Sequence, residues 1–250
     1  MKQSIVVENV SKAFENKKGT MTVLEEVNLD VRSGEFLAIV GPSGCGKSTL
    51  LSCMAGFERV STGRILIDGV PIVGPSRRRV FVFQETGIFP WLSVWDNIGF
   101  GLDEMSFEAK HRRVMRYVNL VGLEGFERSL PAELSGGMKQ RVEFARALVV
   151  EPDVIFLDEP FGALDAITRL EMRREILRIW KETGKTCILV THDVGEAVEL
   201  ADRIAVMTRR PARVHSILSN PLARPRNSAL RQFRDIEDRI YEILDVRRDV

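Results

Sequence analysis

One stretch of this 250-residue chain carries residue types whose spacing is chemically directed. Gly41-Pro42-Ser43-Gly44-Cys45-Gly46-Lys47-Ser48-Thr49 fits the pattern G-x-x-x-x-G-K-[ST]. The glycines let consecutive main-chain N–H groups curl around an anion with no Cβ in the way. A helix expected over Leu50–Ala55 turns its positive end to the same anion. Lys47 can reach the β- and γ-phosphates of a nucleotide, and the Ser48 hydroxyl can ligate Mg²⁺. Cys45 reads as a small filler in the loop, not a nucleophile. A second element, Val154-Ile155-Phe156-Leu157-Asp158-Glu159, is an apolar run ending in two carboxylates. Asp158 can hold Mg²⁺ directly or through water. Glu159 can polarise an attacking water. Such a run says little alone; beside the loop at 41–49 it supplies the other half of a nucleotide site.

A third element, Leu134-Ser135-Gly136-Gly137-Met138-Lys139-Gln140-Arg141, begins with a serine 23 residues before Asp158. Ser-Gly-Gly ahead of a helix offers free N–H groups, a hydroxyl and a helix dipole to an anion. It is equally an ordinary helix start with a serine cap. Two anion cradles in one chain make sense if two copies face each other and share nucleotides.

The elements that must position these residues alternate. Strands are expected at Phe36–Val40, Val80–Phe83, Val154–Leu157, Cys187–Thr191 and Ile204–Met207. Each is short and mostly apolar, as for strands covered on both faces. Between the third and fourth, Met172, Ile176 and Ile179/Trp180 form a helical stripe within Arg169–Trp180. The pattern implies an α/β fold with a largely parallel sheet. Residues 89–150 read as an inserted helical subdomain, with Val114, Val118 and Val121 on one face of Phe107–Val121. From Arg209 to Arg234 there are seven Arg and no acid. This stretch reads either as a solvated, Pro-broken tail or as a contact for a partner or lipid headgroups. Leu230, Phe233, Ile236, Ile240 and Leu244 then share a helical face expected to dock on the core.

Composition excludes several classes. Lys+Arg total 36 against 35 Asp+Glu, a net charge of +1, which argues against a protein that coats nucleic acid. Three cysteines without CxxC spacing fit neither a disulfide framework nor a zinc ribbon, and suit a reducing cytosolic compartment. The start, Met1 to Glu8, reaches an acid before any useful apolar region, so no secretory signal is expected. No apolar run approaches a membrane span. A role at a membrane therefore requires docking to something that spans it.

The motifs, in this order over residues 5 to 210, resemble the ATP-binding subunits of ABC transporters. The resemblance implies a P-loop NTPase core with a parallel sheet, an N-terminal antiparallel β subdomain and the inserted helical subdomain. The ATPase domain would span 1–210, followed by a basic segment and helix over 211–250. By position, Gly41–Thr49 is the Walker A loop, Gln84 the Q-loop, Leu134–Met138 the signature and Val154–Glu159 the Walker B strand. Ala163-Leu164-Asp165 looks like the D-loop and His192 like the switch histidine, a residue that by itself also suits a purely structural place. Phe14 occupies the region of the adenine-stacking aromatic; packing in the core is its other reading. Met138 departs from the more usual Gln.

The mechanism so implied is a head-to-tail dimer, with ATP between Walker A of one subunit and Ser135–Gly137 of the other. Glu159 would activate water, Gln84 sense Mg²⁺ and link to the membrane partner, and His192 hold the γ-phosphate. Pro90-Trp91-Leu92-Ser93-Val94-Trp95-Asp96-Asn97 together with Ser-Gly-Gly-Met looks like the nitrate/sulfonate/taurine group of bacterial uptake ATPases. Its aromatics are either core or part of a groove for a short helix of the membrane subunit. The resemblance thus points to transmembrane permease subunits as partners, indirectly a periplasmic or lipid-anchored solute-binding protein, no nucleic acid, and a place on the cytoplasmic face of the cell membrane. An exporter or lipid-trafficking ATPase is the alternative, separable by whether a solute-binding protein is encoded nearby. A soluble ATPase acting on DNA or ribosomes would usually need a coiled-coil insertion or a second nucleotide-binding half.

Overall fold

The computed structural model describes residues 4–16, 19–83, 87–162 and 164–244. In chain order the elements are β1 (Ile5–Asn16), β2 (Gly19–Val31), β3 (Phe36–Val40), α1 (Lys47–Ala55), β4 (Thr62–Ile67), β5 (Val70–Pro71) and β6 (Arg79–Val82). Then follow α2 (Val94–Gly99), α3 (Phe107–Leu120), α4 (Gly136–Val149), β7 (Val154–Asp158) and α5 (Ala166–Thr183). The chain ends with β8 (Thr186–Thr191), α6 (Val194–Leu200), β9 (Arg203–Met207), β10 (Val214–Ser219) and α7 (Arg231–Ile243). These elements form two compact units, Met1–Ser76 with Lys185–Val250, and Arg77–Gly184.

In the first unit, β1 pairs antiparallel with both β2 and β4, and β5 extends β4. Its other sheet places β3 between β8 and β9, all parallel, with β10 antiparallel on β9. Every residue of β3, β8 and β9 is buried, which is why they read as unbroken apolar runs and not as alternations. Phe36, Leu37, Ile39, Leu50, Leu51 and Met54 are fully buried and bring α1 onto this sheet. The second unit contains the parallel pair β6–β7 and helices α2 to α5. Val114, Tyr117 and Val118 of α3 are buried, so the anticipated stripe is the packed one. Between 89 and 150 the described residues include no strand.

The basic stretch from Arg209 to Arg234 is not a solvated tail. Val214–Ser219 form β10, and Arg213 bridges Glu25 at 3.1 Å. Arg224 and Arg226 donate into main-chain carbonyls at the end of α6. Composition misleads here because a helix end presents carbonyl oxygens that receive cations as well as carboxylates do. Residues 211–244 lie in the first compact unit with the strands that precede them. In α7, Phe233 and Ile240 are buried, whereas Leu230 is exposed.

Candidate active site

In the first unit, β3 and β8 run side by side in a register that pairs Val40 with Thr191. Gly41 and His192 therefore leave adjacent parallel strands at the same level, with strand axes about 4.8 Å apart. The mouth of a parallel sheet at its carboxyl ends is where α/β folds hold ligands. The loop 41–46 runs from β3 into α1, whose first residue is Lys47. Gly46 is the N-cap, with φ 126° and no side chain capping the helix. No side chain of the cap competes for the N-terminal end of α1, the end of a helix that favours an anion. A Cβ at Gly46 would lie 2.8 Å from Val23 and 3.1 Å from Leu24, so both the backbone angle and the close approach of β2 require glycine there.

Lys47 is buried and donates to the carbonyls of Gly41 at 2.9 Å and Pro42 at 3.2 Å. Its ammonium spans the loop's own opening, where a phosphate would receive its remaining proton. Ser43, Gly44 and Ser48 are exposed and Thr49 is half-buried. Cys45 is buried, and burial pushes its thiol up from the usual range, which keeps it protonated and inert. Arg210, which the sequence did not single out, donates to the Gly44 carbonyl and approaches the Met21 sulfur at 3.2 Å. Phe14 lies opposite Met21 in the β1–β2 pair. Its ring is half-buried, and Lys12 covers one face with its ammonium 4.5 Å from the centroid.

His192 is exposed at the end of β8, between two anchored neighbours. The buried Thr191 hydroxyl donates to Glu196 at 2.7 Å and accepts from the Asp193 N–H at 3.0 Å. The Asp193 carboxylate caps α6 by accepting from the Glu196 N–H at 3.0 Å. These short links fix the main chain on both sides of the imidazole.

In the second unit, β6 pairs with β7 so that Val82 faces Leu157. Asp158 and Glu159 follow at the carboxyl end, both half-buried. Glu159 has φ 47°, left-handed backbone unusual for a residue with a side chain. Four other described non-glycine residues share this conformation, among them Asp68 in a turn and Glu151 just after α4. At Glu159 it aims a carboxylate off the strand end. Gln84, two positions past Val82, lies outside the described residues, as does Ala163 of the expected D-loop. Asp165 caps α5, accepting from the N–H groups of Ile167 and Thr168 at 3.1 Å each. Hydrogen bonding by Thr168 holds its carboxyl below the usual range.

Ser135 caps α4, its hydroxyl accepting from the Met138 N–H at 3.2 Å. The cap and the exposed Ser135–Gly136 start coexist. A Cβ on Gly137 would sit 2.5 Å from the Thr168 methyl, so α5 packs where only glycine fits. On the same helix Glu143 is 3 % exposed, and burial pushes its carboxyl up to about 7. One oxygen accepts from the Gly87 N–H at 3.3 Å, and the other has no hydrogen-bond partner among the described residues.

The aromatics after Phe83 divide. Trp91 is 72 % exposed and lies 5.6 Å from Phe89, with Arg146 over the Phe89 ring at 5.1 Å. The core reading therefore fails for Trp91. Trp95 is half-buried beside Phe107 and His111, on the wall of a cleft of about 700 Å³. Among the described residues no helix is long and apolar enough to cross a membrane, and no group of three or more acidic, His or Cys side chains is placed to hold a metal.

The sequence profile of the family described as ABC transporter matches residues 24–162. An aliphatic sulfonates import ATP-binding protein of Bacillus thuringiensis subsp. konkukian is 44% identical over 239 residues, covering 96% of this chain and 95% of that one. A taurine import ATP-binding protein of Pelagibacter ubique is 46% identical over 222 residues, covering 88% and 84%. Among solved structures, a dimeric post-hydrolysis state of an ATP-binding cassette bound to ADP and Pi superposes with a TM-score of 0.76. It is 31% identical, covering 88% of this chain and all of that one.

Proposed function

The chain belongs to the ABC transporter family, and from that membership we propose that it is the ATP-hydrolysing subunit of an importer whose cargo is a small organic sulfonate. The observation that carries the ATPase half is the register of β3 on β8, which sets the uncapped start of α1 beside His192. The cargo half rests on the aliphatic sulfonates and taurine import relatives, each matched over most of its length.

ATP is the substrate. The N-terminal end of α1 and the Lys47 ammonium take its β- and γ-phosphates, while the Phe14 ring stacks on the base. Ser48 and Asp158, with Gln84, have the hard oxygen donors that suit Mg²⁺; when bound, the ion neutralises charge building on the phosphate oxygens. Glu159 accepts a proton from the attacking water, and His192 donates to the γ-phosphate oxygens as they gain charge. Ser135–Gly137 receive the γ-phosphate of a nucleotide held by a second copy, so two chains close two sites head to tail.

The exposed Trp91 and, separately, the cleft beside Trp95 support docking of a short helix from a membrane-spanning permease subunit, and in this reading the chain works peripherally at the cytoplasmic face of the membrane. A solute-binding protein acts on the far side and does not touch this chain. The test is genetic. Deleting the gene should abolish growth on taurine or an alkanesulfonate as the only sulfur source and leave growth on sulfate intact. Normal sulfonate growth with defective nitrate uptake moves the cargo to nitrate. A strain lacking either defect overturns the oxyanion assignment and leaves the ATPase standing.

A further inference from the structure

The helix that follows His192 is held from outside to an unusual degree. α6 has only seven residues, too few for its own propensity to set its direction. Its N-terminal turn is the Thr191–Asp193–Glu196 lattice that brackets the histidine. Its C-terminal carbonyls are taken by three side chains from the segment after β10. Asn220 donates to Val198 at 2.7 Å and to Ala201 at 3.1 Å. Arg226 donates to Val198, Glu199 and Ala201 at 3.0, 3.1 and 2.7 Å, and is itself tied to the Leu222 carbonyl at 3.0 Å.

Arg224 donates to the Leu200 carbonyl and pairs with Asp202 at 2.6 Å. The other Asp202 oxygen accepts from the N–H of Phe36 at 3.0 Å, the first residue of the strand that leads into the phosphate loop. One polar chain therefore runs from the segment at 220–226, through the carbonyl end of α6 and Asp202, to the root of β3. Burial, with Arg224 alongside, pushes the Arg226 guanidinium down to about 10. It stays cationic at neutral pH, the charge a helix C-terminus favours.

We propose that Arg226, seconded by Arg224, is a positioning residue for hydrolysis: it holds α6 by its carbonyl end so that His192 stays at the level of the phosphate loop. This rests on the role given above to His192. A single guanidinium nitrogen gathering three carbonyls fixes the rotation of a helix of about two turns, which a water or a glycine cap would leave soft. The histidine at the other end inherits that rotation.

The test uses the full chain, with ATP turnover, ATP affinity and melting temperature read together. Arg226→Gln should lower kcat by about 10- to 100-fold, the loss expected when a reacting geometry drifts by about an ångström. Affinity for ATP should be little changed, because Lys47 and the loop are untouched. Arg226→Lys, which keeps the charge without the planar fork, should fall between. Adding Arg226→Gln to His192→Ala should lower the residual turnover no further, since the two act through one group. Wild-type kcat in Arg226→Gln overturns the proposal, as does the same fractional loss with and without His192. If Arg226→Gln does not fold, Arg226→Lys decides: reduced kcat at unchanged ATP affinity supports the proposal and wild-type kcat overturns it. Full turnover in His192→Ala would instead remove the role of the histidine itself.

Discussion

Glu159 and Glu143 are both carboxylates in the second unit, and their surroundings give them opposite tasks. Glu159 sits half-buried at a strand end in left-handed backbone, where it is proposed to accept a proton from water. Glu159→Gln keeps size and hydrogen-bonding shape but loses basicity. Hydrolysis should fall by about 10²–10⁴-fold, the usual contribution of a placed general base. ATP binding should survive, so the variant should accumulate as an ATP-bound dimer by light scattering; near wild-type turnover would assign the water to another group. Glu143 is buried, and burial outweighs the main-chain N–H groups of Gly87 and Phe83 and the charge of Arg146, raising its carboxyl to about 7 from 4.5. The folded chain therefore keeps a proton that the unfolded chain releases between pH 4.5 and 7. Stability should fall as pH rises through that window, by up to about 3 kcal/mol. Denaturant unfolding at pH 5 and pH 8 should show this slope in the wild type and a flatter one in Glu143→Gln. Parallel slopes would mean that Glu143 is charged throughout.

Among the elements, α4 and α5 show why the signature glycines serve structure as well as ligand. The missing Cβ of Gly137 is where the Thr168 methyl packs, at 2.5 Å from the ideal position. Gly137→Ala should overpack this contact and cost about 1–3 kcal/mol. The Thr168 hydroxyl donates to Asp165 at 2.6 Å, and a serine there would keep that bond while removing the methyl. Gly137→Ala with Thr168→Ser should thus recover most of the lost stability in thermal melts. A double variant as unstable as Gly137→Ala alone would place the strain in the backbone instead. The same logic explains Ser135, whose hydroxyl caps its own helix at 3.2 Å. Of the two readings open from sequence, the serine cap is the one observed, and it leaves Ser135 and Gly136 exposed for the anion contact proposed above.

For the whole molecule, each chain carries one phosphate loop and one Ser-Gly-Gly start, and hydrolysis is proposed to need one of each from different copies. Lys47→Ala removes the compact charge on the phosphates and should abolish productive ATP binding. Ser135→Arg should block hydrolysis while its own Lys47 still binds ATP. Mixed, the two inactive proteins should regain turnover, because a heterodimer can hold one site with both halves intact. Turnover that stays absent at every mixing ratio would contradict shared sites.

The motifs and element types were legible in the sequence because they are set by contacts within a few residues. Gly46 and Lys47 lie in one loop, β3 is five consecutive apolar residues, and the stripe of α3 repeats with the helix turn. The strand limits expected for β6, β7, β8 and β9 were met to within a residue or so for the same reason. What lay beyond reach depends on residues distant in the chain. The pairing of Val40 with Thr191, which sets His192 beside the phosphate loop, is decided by packing between segments about 150 residues apart. The exposure of Trp91 and the burial of Glu143 are likewise properties of neighbours, not of residue type. Arg226 is the sharpest case. Within a run of arginines without acids it reads as a solvated cation or as a contact for a partner or lipid headgroups, and only the fold delivers three carbonyl oxygens of α6 to its guanidinium.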